Sequence, residues 1–129
     1  MKSGEHGSAT ILVALVVGLI LTAGVGLGSL TVLYGARTEA STAADAAALA
    51  AAVATYPPAG AGSPRAEASR YATANGAVVV SCTCAVDPSF AIRTVTVIVE
   101  KRVSVPFFGT FGVKAGATGE FEPLAWLGG

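Results

Sequence analysis

The chain opens on a stretch with no polar alternation. From Ala9 to Tyr34 the run ATILVALVVGLILTAGVGLGSLTVLY holds 26 residues without a charged side chain. At ~1.5 Å rise per residue a helix over this run is about 39 Å long, enough to cross a bilayer with tilt. A helix apolar on every side needs lipid or protein all round it, and the remaining chain is too short and too rich in small polar residues to enclose one. After Gly35 the pattern changes to ARTEASTAADAAALAAAVATY, Ala36 to Tyr56. Alanine has the highest helix propensity and almost no bulk, which predicts a helical stalk over 35–56 that stops at Pro57 and Pro58. Gly35 either hinges the two halves or lies within one long helix. Leu49 and Val53 are the stalk's main large apolar groups. The rest of it can be buried only by alanine packing, on the domain that follows or on neighbouring copies.

PPAGAGSP at 57–64 reads as a connector. Ser63 then precedes Pro64 at a first helical position, Glu67 falls in the first turn and Asn75-Gly76 is a stop signal, which predicts a short helix over Arg65 to Ala74 with Tyr71 packed inward. Ala77 to Val86 and Ala91 to Val105 are rich in β-branched residues and read as strands joined through Asp87-Pro88-Ser89. FFGTFG breaks the pattern beyond Pro106, and Val113 to Phe121 reads as a third strand. Phe107, Phe108 and Phe111 cluster around Gly109 and Gly112; a core role is favoured in so small a domain, and a loop that inserts into a membrane surface or a partner pocket is the alternative. The fold class is therefore α+β: a long N-terminal transmembrane helix over 9–34, preceded by a short leader over 1–8 and continued by the alanine stalk, then a small domain over 65–129 with a short helix on an antiparallel sheet of about three strands.

Composition sharpens the membrane reading. The chain is 53% hydrophobic with zero formal net charge, and its mean hydropathy is +0.66. Its 8 basic and 8 acidic residues are scattered singly, so no basic stripe exists to neutralise phosphates, and nucleic acid is excluded as a partner. The lipid bilayer is the expected partner. Lys2 before the helix and Arg37 after it leave a small bias towards a cytoplasmic N-terminus. Cys82 and Cys84, which suit an oxidising compartment, agree with an extracytoplasmic C-terminal domain. The rival is a cleaved secretory signal that releases a surface binding domain, with small residues near Thr22 to Gly24 as its cut. The uninterrupted length of the run favours a retained anchor. A pore-forming peptide would use the same helix but leaves the C-terminal domain without a purpose.

Within the helix, Ala14 and Gly18 are four apart, as are Gly24 and Gly28, a spacing that admits close approach of another helix and hence a homo-oligomer. Cys82 and Cys84 would lie on one strand face with Cα atoms near the ~7 Å bridging limit, so a disulfide and two free thiols both remain open. Asp45 is a lone carboxylate in an alanine helix and reads as a solvated position. No nucleophile elbow, phosphate loop, metal-ligand spacing or carboxylate pair occurs, and His6, the single histidine, stands apart from both cysteines. No catalytic, cofactor or metal site is expected.

Two segments carry a family resemblance. Gly7-Ser8-Ala9-Thr10 runs straight into the apolar helix. Thr42 to Ala52, with Ala44, Asp45, Ala46 and Leu49 at its centre, resembles the Ala-Ala-Asp-Ala-Ala-Ala-Leu-Ala run of TadE/TadG-like proteins of tight-adherence (Flp-type) pilus systems, particularly the short forms of high-GC Gram-positive bacteria. The order of the strands after ATANGA at 72–77 is similar to the surface portion of these proteins. The resemblance implies a non-enzymatic, pseudopilin-like assembly component whose partners are pilus or secretion-system membrane proteins, and it makes Gly7 and Ser8 the candidate processing site. One departure stands out: pilin-like members carry a glutamate five residues after the cleavage glycine, and that position here is Leu12.

Overall fold

The structure, a computed structural model, describes residues 5–128. Lys2, used above for orientation, and the first four leader residues lie outside the described residues. Helix α1 runs without interruption from Glu5 to Ala54, 50 residues, or about 75 Å. Gly35 is therefore not a hinge; its cost of about 1 kcal/mol is carried by helix formers on both sides. Hydroxyls in the apolar half do not stay unpaired. Thr22 donates to the carbonyls of Gly18 and Leu19, Ser29 to Val25 and Thr31 to Leu27, all at 2.9–3.0 Å, so these polar groups are satisfied within the helix.

The C-terminal half of α1 packs through one alanine face. Ala36, Ala40, Ala43, Ala44, Ala47, Ala48, Ala51 and Ala52 are all buried, at the three-and-four spacing of a helix stripe. Opposite them lie β1 (Val78–Thr83), β2 (Arg93–Val105) and β3 (Gly109–Phe121), an antiparallel sheet in the order β1-β2-β3. Val95, Val97 and Val99 of β2 point into this contact, and Ala68 and Ala72 of helix α2 (Pro64–Ala74) close its side. The stalk is thus covered by its own chain. Ser63 caps α2 by accepting from the Ala66 N–H at 3.3 Å. A 3-10 turn, Pro57–Ala59, follows the end of α1, and a short helix α3 (Pro123–Leu127), which the sequence pattern did not suggest, ends the described fold.

Alanine packing permits an unusually close helix-sheet approach, and Gly119 shows it. A Cβ there would lie 2.9 Å from the Ala48 carbonyl oxygen and 3.1 Å from its carbon, so the strand has no room for a side chain where it crosses α1.

Several expectations need correction. β3 begins at Gly109, four residues before Val113, because Gly109, Thr110, Phe111 and Gly112 continue the ladder opposite Val105 to Arg102; the glycines there pair through their backbones. Phe107, Phe108 and Phe111 are outside the core, with Phe107 90% exposed at the hairpin tip. Tyr71 is 41% exposed and does not point inward. The buried stripe itself consists of alanines packed on the following domain, one of the two surfaces the sequence offered for them, and Leu49 sits beside it, 62% exposed.

Candidate functional site

Three surfaces offer chemistry or contact. The first is the apolar half of α1. Its large side chains from Ile11 to Leu30 are exposed, and the helix meets the length and composition of a membrane span. Gly7 and Ser8 lie in its first turns, exposed. Leu12, where a pilin-type glutamate would stand, is exposed among other apolar side chains. Ala14 and Gly18 line an open groove with Ile11, Leu15, Leu19 and Thr22. A Cβ added at Gly18, Gly24 or Gly28 would meet nothing within 4 Å, so all three have room for a neighbour.

The second surface lies between α1 and α2, where Ala46, Leu49, Val53, Tyr71 and the Glu67–Arg70 pair line an open groove of about 530 Å³. The sequence motif divides here by face. Ala44 is buried against the sheet, Ala46 and Leu49 border the groove, and Asp45 is exposed. The Arg70 guanidinium meets Glu67 at 2.7 Å and stacks 4.8 Å from the Tyr71 ring centre; the carboxylate raises the arginine's affinity for its proton. An ion pair and apolar walls suit packing, with no group here placed for proton transfer.

The third surface is the loop over the end of α1. The Asp87 N–H donates to the Thr55 carbonyl at 2.8 Å. Arg93 donates to the carbonyls of Asp87, Ser89 and Ala91, and its guanidinium lies 5.8 Å from the Tyr56 ring centre. The Ser89 backbone N–H donates to Asp87 Oδ1 at 2.8 Å. This bond, aided by the Ser89 hydroxyl and by Arg93, holds the Asp87 carboxyl below its ordinary range. A carboxyl whose folded value is depressed stabilises the fold above its unfolded value of about 3.9 and loses that contribution as pH falls through the folded value. Asp87→Asn should therefore melt below the unaltered protein at neutral pH, and the gap should close under strongly acidic conditions; a gap independent of pH would show that the carboxylate's charge is not involved.

Cys82 and Cys84 are joined by a disulfide with Cα atoms 5.4 Å apart. The two lie on the core side, and the strand ends between them. A register shift between Val79 and Ser81 turns Val80 outward and places Val79, Cys82 and Cys84 on the core side. β1 ends at Thr83, so the chain is no longer extended at Cys84 and the Cα separation falls below the ~7 Å of a strand.

The sequence offers the Phe107–Phe111 turn of the β2–β3 hairpin as a membrane- or partner-binding loop, second to a role in the core. The hairpin lies along α1: Lys101 Nζ meets Glu39 at 2.8 Å, Val113 shares a groove with Leu30, Leu33, Tyr34 and Arg37, and Phe108 shares one with Leu21, Thr22, Val25 and Gly26. Its signal was the uncharged run Val103 to Val113 between Arg102 and Lys114.

The described chain is thus a long helix whose exposed apolar half has the length and composition to cross a membrane, with an α+β head wrapped on the other half. Residues 7–54 match the family model described as putative Flp pilus-assembly TadE/G-like. The match covers α1 almost end to end and supports the TadE/TadG-like family assignment. No curated protein and no solved structure matches the chain.

Proposed function

We propose that this chain is a membrane-anchored, non-enzymatic structural or assembly component of a Tad/Flp-type pilus or a related secretion system. Its N-terminus is cytoplasmic and its head extracytoplasmic. The observation that carries this reading is that the segment matching the pilus-assembly family is a single helix with one half apolar and uncovered and the other fixed to the head. Such a helix can hold the head at a fixed height on the membrane and still offer Ala14, Gly18, Gly24 and Gly28 to a neighbouring helix. With Leu12 in place of a glutamate, nothing at that position offsets a neighbouring subunit's terminal amine in an apolar filament core, so the helix is read as membrane-resident and laterally associating.

Site-specific photocrosslinking from Leu12, Leu15 and Leu19 in native membranes is the test. Adducts to pilus-machinery membrane proteins or to a second copy are expected; a series yielding only lipid adducts would remove the assembly role. Intact mass of the mature protein separates cleavage after Gly7, or loss of the first half of α1, from full retention.

A further inference from the structure

The hairpin and the helix disagree about where the membrane ends. By hydropathy alone the span reaches Tyr34, which would place most of the uncharged part of the hairpin inside hydrocarbon, because its tip lies level with Leu21 to Gly26. Yet the hairpin there is only two strands. β1 pairs with β2 no further along than Glu100, and among the described residues the outer edge of β3 has no partner strand. Edge N–H and C=O groups find no hydrogen-bond partners in hydrocarbon, and open sheet edges do not occur there. The bilayer must therefore stop near the tip.

The lengths agree with that limit. Gly7 to Gly26 spans about 30 Å of helix, the thickness of a typical hydrocarbon core, and holds no charged residue. The tip has a composition suited to the boundary. Phe107 is 90% exposed and Phe108 62%, on a turn closed by the Phe108 N–H to the Val105 carbonyl. Pro106 takes the second turn position and Phe107 the third, at φ 69°. Glycine or asparagine fits that backbone without strain, so a phenylalanine held there marks a demand for the ring. The nearest charges along the hairpin stand back from the turn: Arg102 is three residues from Val105, about 10 Å, and Lys114 five residues from Gly109.

We infer that the Pro106–Phe108 tip seats in the outer lipid interface of the bilayer that α1 crosses. The membrane then covers about residues 7–26 and ends short of Tyr34, and residues 27–36 stand above it, held against the hairpin. The head is thereby fixed at two points, helix and tip, which sets its tilt as well as its height. The inference rests on α1 crossing the membrane.

The test uses the full-length chain in phosphatidylcholine–phosphatidylglycerol vesicles. Trp126→Phe removes the native tryptophan, and Leu15→Trp, Tyr34→Trp or Phe107→Trp then adds one reporter. Lipids brominated near the carbonyl or near the chain end read its depth. Leu15→Trp should lose most of its fluorescence to deep bromines and Phe107→Trp to shallow ones, while Tyr34→Trp should be little changed. Phe107→Trp unquenched, or quenched chiefly by deep bromines, with Leu15→Trp still quenched, overturns the seating of the tip and leaves the span intact. Leu15→Trp unquenched removes the membrane reading and the inference with it. Phe107→Gly serves as the folding control: it should keep the head's melting temperature and not lower it, since the turn favours glycine.

Discussion

Gly119→Ala is expected to destabilise the head by about 2 kcal/mol, although it adds one methyl group to a strand. The new Cβ would stand 2.9 Å from the Ala48 carbonyl oxygen and 3.4 Å from the Ala52 Cβ. Neither neighbour can rotate away, since one is backbone and the other is fixed to it, so α1 must lift from the sheet. That movement loosens the alanine contacts along the stripe, each good only at close range. For a head of this size the melting temperature should fall by roughly 10 °C. Gly116→Ala provides the comparison on the same strand. A Cβ there meets Ile98 Cγ1 at 3.6 Å and the Val97 carbonyl at 3.8 Å, ordinary contacts, and less unfolded-state freedom should leave the protein as stable or slightly more so. Thermal unfolding followed by the near-ultraviolet signal of Tyr56, whose ring packs by Phe90 and Phe121 at 6.0 and 6.2 Å between centres, distinguishes them. Equal melting temperatures for the two variants would show that helix-sheet proximity does not limit the fold.

The alanine stripe also shows why the sequence revealed the elements better than their packing. Length and apolarity made the helix legible, and β-branched runs made the strands legible, because each is a local property. Which side of the stalk is buried is not local. Alanine serves equally as a solvated helix former and as a close-packed core residue, so the sequence predicts alanine packing on the following domain or a neighbouring copy without saying which alanines face it. Leu49 turned out exposed and Val53 half-buried. Gly112 and Gly116 sit in β3 as weak strand residues, while Gly119 is required by a helix more than sixty positions away in sequence. For the three phenylalanines the favoured core reading is overturned and the exposed-loop alternative is kept: in a small domain aromatics are usually core, and only the reach of the hairpin along α1 places them at its far end. The cysteine pair remained open because its separation depends on a strand end at Thr83 that residue types do not announce.

The span itself has the second large expected effect. Between Gly7 and Gly26 the side chains Ile11, Leu12, Val13, Leu15, Val16, Val17, Leu19, Ile20, Leu21 and Val25 are all exposed. At about 0.3–0.6 kcal/mol each near the helix centre they favour insertion by roughly 3–6 kcal/mol. One arginine near the centre costs about 2.5–3.5 kcal/mol on the same scale, and it also removes a leucine's contribution. Leu15→Arg with Leu19→Arg should therefore reverse the sign, shifting the partition between membrane and soluble fractions by about two orders of magnitude or more. Both positions are exposed and neither belongs to the buried cluster of the head, so the head should melt as before. Leu49→Arg makes the same chemical change on the half of α1 that carries the head, and the protein should stay with the membrane. Carbonate-washed membranes provide the measurement. If the double variant stayed in them as firmly as Leu49→Arg, hydrophobic insertion of α1 could not be what holds this protein to the bilayer, and the head or a partner would have to do it.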